Sequence, residues 1–66
     1  MNISLNGESR TVADGIMLAE LIASLNMTAG AMAVAVNRKV VTRSLWGSHE
    51  LKEGDRVEIV RAIGGG

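Results

Sequence analysis

The chain closes on Gly64-Gly65-Gly66, directly behind an apolar, strand-like run, Val57-Glu58-Ile59-Val60-Arg61-Ala62-Ile63. Of all its groups, the carboxylate of Gly66 has the setting that most suggests chemistry. Glycine has no Cβ and reaches backbone conformations closed to other residues, so a tail of this kind threads a channel too narrow for side chains. Gly66 would then be delivered to the active site of another protein. The other residue types offer less. The absence of cysteine removes a thiolate nucleophile, a disulfide framework and a zinc cluster. His49 is the only histidine, and no serine or carboxylate spacing makes a triad of it, so it reads as a solvated or locally hydrogen-bonded side chain. The three glycines are not a phosphate-cradling loop, because such loops precede a helix and a Lys-Ser or Lys-Thr pair. Arg38, Lys39 and Arg43 form a small basic cluster near a turn, readable as a solvated face or as docking charge.

A chain of 66 residues is one small domain, without room for both a deep catalytic cleft and a large core. The expected division is a folded domain over 1–63 and a flexible tail over 64–66. Seven basic and seven acidic residues give a formal charge of +0, which argues against a nucleic-acid partner and for protein partners. Met1-Asn2-Ile3-Ser4 lacks a basic region ahead of a long apolar run, and no stretch approaches membrane-spanning length. The expectation is a cytoplasmic protein with no membrane partner, monomeric when free. Hydrophobic residues make up 47% of the chain, yet there is no Phe, no Tyr and one Trp, so the core must be packed from Ile, Leu, Val, Met and Ala. Net stability on the order of 5 kcal/mol is expected for a domain of this size.

The elements that would hold the tail can be read in turn. Ile3 and Leu5 alternate with Ser4 and Asn6, Asn6-Gly7 is a hairpin turn signal, and Arg10-Thr11-Val12-Ala13 returns as a second strand. Asp14 is placed to cap a helix whose apolar stripe is Leu18, Leu21, Ile22 and Leu25, with Glu20 and Ser24 facing water. Ala31–Val36 reads as a strand with Val34 and Val36 inward and alanines on the other face. Asn37-Arg38-Lys39 makes a polar turn into a brief Val40-Val41 strand. Ser44-Leu45-Trp46-Gly47 reads as an irregular turn that tucks Trp46 into the core, followed by the anchor Leu51 and a tight turn at Lys52-Glu53-Gly54-Asp55. Val57 and Ile59 then start the last strand inward, leaving Glu58, Val60 and Ala62 on an open face that leads to the tail. The order predicts an α+β fold, a mixed sheet packed on one helix, with the first and last strands parallel neighbours.

These residues resemble the sulfur carrier proteins of thiamine biosynthesis, the ThiS family, whose fold is the ubiquitin-like β-grasp. The resemblance spans nearly the whole chain and is most specific at Ala33-Val34-Ala35-Val36-Asn37, Val40-Val41-Thr42-Arg43, Trp46, Leu51, Gly54-Asp55, Val57-Glu58-Ile59-Val60 and the closing glycines. Thr42 stands where many members have proline, and three glycines replace the minimal pair. The resemblance implies that this chain is not an enzyme but a protein cosubstrate. An adenylating enzyme of the ThiF class would use ATP and magnesium to activate the carboxylate of Gly66. Sulfur from a cysteine desulfurase would convert it to a thiocarboxylate, and a thiazole synthase of the ThiG class would receive the sulfur. The chain itself would bind no cofactor and no metal.

Within that picture Gly64 and Gly65 form the tail, and Val60, Arg61, Ala62 and Ile63 are the candidate partner-binding residues. Arg61 is read either as solubilising charge or as a contact to an acidic groove on the activating enzyme. Within the carrier class, the small subunit that supplies sulfur to molybdopterin shares the ending; a ubiquitin-like modifier attached to lysines, a separate class, presents the same carboxyl end. A β-grasp interaction module with an inert end is a different class.

Overall fold

The computed structural model describes residues 1–25 and 32–61, with Met32 and Arg61 described by their backbone. The first strand, β1 (Asn2–Leu5), and the second, β2 (Glu8–Thr11), form an antiparallel hairpin around Asn6-Gly7. Both turn residues have positive φ, 51° and 85°, the conformation that matches the twist of a two-residue hairpin. The second strand starts earlier than Arg10: Leu5 pairs with Glu8, because a two-residue turn leaves no spare residues between the strands.

Helix α1 (Leu18–Ser24) follows, and its start corrects the expected cap. Asp14 lies too far ahead of the helix to reach its first N–H groups. The chain turns at Gly15, where φ is +76°, and Met17 is the N-cap residue. Glu20 supplies the capping carboxylate, accepting from the Met17 N–H at 3.0 Å. Asp14 instead accepts from the Met1 ammonium group at 2.9 Å.

Strands β3 (Met32–Val36), β4 (Lys39–Val41) and β5 (Arg56–Arg61) complete one five-stranded sheet in the order β2-β1-β5-β3-β4. β1 and β5 are parallel, and the other pairs are antiparallel. This is the β-grasp arrangement expected from the sequence, with β5 in the middle of the sheet. Between β4 and β5, the segment expected to be an irregular turn is a 3-10 helix, Arg43–Ser48. It seats Trp46 in the core, where the indole N–H donates to the Val41 carbonyl at 2.8 Å. That bond satisfies the polar end of a buried ring.

The core lies between the sheet and α1. Leu18, Leu21 and Ile22 meet Ile3, Leu5, Val34, Val36, Val57 and Ile59, with Leu51 and Trp46 also buried in the same cluster. Leu25 is half-buried at the helix end and packs against this cluster from its margin. Each fully buried aliphatic side chain contributes about 1.5–3 kcal/mol relative to exposure. Glu20 and Ser24 face solvent as the helical spacing required.

Candidate functional site: the outer face of the sheet and the stem of the tail

Because side chains alternate along a strand, the face turned away from α1 is set by the same registers that build the core. On β5, Glu58 and Val60 point outward, and Val60 is 66% exposed. Ala33 pairs with Val60 and Ala35 pairs with Glu58, so the short outward side chains of β3 lie beside them. Val40, opposite Ala35 on β4, is 73% exposed. The two alanines form the floor of a shallow groove of about 280 Å³ between Val60 and Val40, with Arg38 and Glu58 at its edge. Toward the start of β5 the same face turns polar, with Ser4, Arg38 and Arg56 around a second depression.

The strand that leads toward Gly66 is held on both sides by asparagines in left-handed turns. Asn37, with φ +52°, donates its N–H to the Arg56 carbonyl at 2.8 Å and accepts from the Arg56 N–H through Oδ1 at 3.0 Å. Its Nδ2 also donates to Asp55 Oδ1 at 3.0 Å, while Asp55 Oδ2 accepts from the Lys52 N–H at 2.9 Å. On the opposite side, Asn6 donates its N–H to the Val57 carbonyl at 2.9 Å, and its Oδ1 accepts from the Ile59 N–H at 2.9 Å. Asparagine suits both places because it tolerates positive φ and carries an amide that mimics the backbone. The start and middle of β5 are thus hydrogen-bonded to a turn on each side.

Val60 stands on the outer face as the alternation required. Arg61 is the last residue of β5, and its side chain lies outside what the structure describes, as do Ala62, Ile63, Gly64, Gly65 and Gly66. His49 is half-buried, and its carbonyl accepts from the Leu18 N–H at 2.8 Å. The basic cluster does not act as one group. Arg38 and Lys39 are exposed at the β3–β4 turn, whereas the Arg43 guanidinium lies over the Trp46 ring, 5.7 Å from its centroid. Sequence reasoning overlooked Val40, although its alternation with the buried Val41 marks it as outward. It also read Asn6 and Asn37 as turn residues alone; no sequence signal announces the strand each side chain grips.

Among the described residues, no group of three or more His, Cys, Asp or Glu could hold a metal ion, and no helix is long and apolar enough to cross a membrane. The described outer face is thus apolar at Val60 and Val40, on and near the strand whose sequence continues to the glycines.

The model of the ThiS family matches residues 3–66. A thiazole synthase of Magnetococcus marinus is 39% identical over 66 residues, all of this chain and 20% of that protein. The chain thus spans one fifth of that relative. The sulfur carrier protein ThiS of Escherichia coli is 30% identical over the full length of both chains. The crystal structure of a thiamine biosynthesis protein, ThiS, from Geobacter metallireducens superposes with a TM-score of 0.85, at 32% identity and with all of both chains covered.

Proposed function

The chain belongs to the ThiS family, and on that premise we propose that it is the sulfur carrier of thiamine biosynthesis, with the carboxylate of Gly66 as the group that carries the sulfur. The observation that supports this most is the extent of the family match, which runs through residue 66 and so includes all three glycines. The geometry agrees with it, since β5, from which the chain runs on to the glycines, is the hydrogen-bonded central strand of the sheet.

A carboxylate resists attack by sulfur nucleophiles, whereas an acyl adenylate carries AMP as a leaving group. In the proposed sequence a carboxylate oxygen of Gly66 attacks the α-phosphorus of ATP on a ThiF-class enzyme, and pyrophosphate leaves. Magnesium and cationic groups on that enzyme offset the charge brought together. The terminal sulfur of a persulfide made by a cysteine desulfurase then displaces AMP, and a thiol cleaves the resulting acyl disulfide to the thiocarboxylate, leaving a disulfide behind. Thiazole synthase is the proposed acceptor, supported by the Magnetococcus marinus relative of that name, of which the matching stretch is 20%. The setting proposed for these steps is the cytoplasm.

The test is the intact mass after incubation with ATP, magnesium, a ThiF-class enzyme, a cysteine desulfurase, cysteine and a thiol. The expected result is exchange of one oxygen for sulfur at Gly66, abolished when one residue is added after it. An unchanged mass with active partner enzymes would reject the carrier reading in favour of an interaction module.

A further inference from the structure

β5 is paired unequally on its two sides. Toward β3 the ladder has five pairs, from Val36↔Val57 to Met32↔Arg61. Toward β1 it has only two pairs, Ser4↔Arg56 and Leu5↔Val57. The bonds of Asn37 to Arg56 fix the alternation: N–H and C=O groups of Arg56, Glu58 and Val60 point toward β3, and those of Val57, Ile59 and Arg61 point toward β1.

Asn6 ends the short side in a particular way. A residue in a parallel ladder donates to one carbonyl of its neighbour and accepts from the N–H two residues further on. Asn6 does both toward β5, donating to the Val57 carbonyl and accepting from the Ile59 N–H, but the acceptor is its side-chain Oδ1. Its φ of +51° has already turned the backbone into the hairpin. Were β1 to continue, the next place in the ladder would take the Ile59 carbonyl and the Arg61 N–H. The chain has instead folded back, with Glu8 opposite Leu5 in β2. Among the described residues, no partner fills that place.

This open place lies close to the tail. Gly66 is the fifth residue beyond Arg61, so it reaches at most about 17 Å from the end of β5. Any enzyme holding Gly66 in its active site therefore lies against this end of the strand. On the outer face beside this edge stands Val60 of β5, 66% exposed, which gives a side chain of an added strand something to pack on.

We propose that the edge of β5 beyond Asn6 is a strand-addition site. An extended segment of the enzyme that adenylates Gly66 runs parallel to β5 there, one of its residues donating to the Ile59 carbonyl and accepting from the Arg61 N–H. Main-chain pairing of this kind gives affinity, and the alternate side chains of the added segment give specificity. The inference rests on the carrier reading above.

The test uses Arg61→Pro with Arg61→Ala as its control. Proline removes the one N–H, which the β3 ladder does not use, so the fold is retained; alanine removes the charge and keeps the N–H. Amide exchange at Arg61 is followed in the free protein and in the complex with the adenylating enzyme. Expected are a roughly tenfold or greater weakening of the complex by Arg61→Pro beyond that caused by Arg61→Ala, and slowed exchange of the Arg61 amide on binding. Equal affinities for the two variants, or an Arg61 amide whose exchange is unchanged in a complex that still adenylates Gly66, would overturn the proposal while leaving the carrier reading intact. Failure of the unaltered protein to be adenylated would overturn both.

Discussion

On β4 and β5, neighbouring valines and isoleucines have opposite fates. Ile59 and Val41 are each 8% exposed, whereas Val60 and Val40, one position away in each strand, are 66% and 73% exposed. Residue type is nearly constant across the four positions, so hydrophobicity alone does not say which side chain builds the fold. The pleat decides it: α1 covers one face, and nothing described covers the other. Exposed aliphatic residues are common singly, but here they stand on adjoining strands across a floor of two alanines, beside the stem of the tail. The inner face determines whether the domain exists, and the outer face, which carries no such duty, is the proposed recognition surface.

Substitutions on the two faces should therefore separate stability from recognition. The largest effect belongs to the inner face: Leu21→Ala should cost about 2–5 kcal/mol in urea unfolding, much of the stability of so small a domain. Trp46→Phe keeps an aromatic ring but leaves a small void and the Val41 carbonyl without its donor, and should cost about 1–3 kcal/mol by the same measurement. Val60→Ser should leave stability within about 0.5 kcal/mol while raising the KM of the adenylating enzyme for this protein roughly tenfold, a change that corresponds to about 1.4 kcal/mol. A comparable fall in unfolding stability would break the distinction between the faces. Val40→Thr, further from the tail, sharpens it: its KM effect should be a few-fold at most, with unfolding unchanged.

Alternation and helical spacing made the fold legible. Ile3 with Leu5, Val34 with Val36, Val57 with Ile59, and the Leu18-Leu21-Ile22 stripe each follow a period that local sequence displays, and the parallel pairing of β1 with β5 follows from their shared debt to one helix. Local sequence failed where a distant partner decided. Asp14 looked like a cap because it precedes the helix, but the Met1 ammonium claims it, and Glu20 reaches back from within the first turn. The 3-10 helix at Arg43–Ser48 has no apolar period to reveal it; the need to seat Trp46 under the Val41 carbonyl shapes it. Of the site, Val60 was readable from parity. The grips of Asn6 and Asn37 on β5 were not, since each joins a turn to a strand remote in sequence.

Asn6 and Ile59 meet across 53 positions of sequence, and β1 can find its parallel neighbour only when the last strand exists. The hairpin and helix precede β5 in the sequence, so cooperative folding of the sheet waits until its central strand has been made. Long-range closure of this kind slows folding. A product truncated before β5 lacks the strand that joins the two halves of the sheet, and with it the part of the outer face that Glu58 and Val60 build.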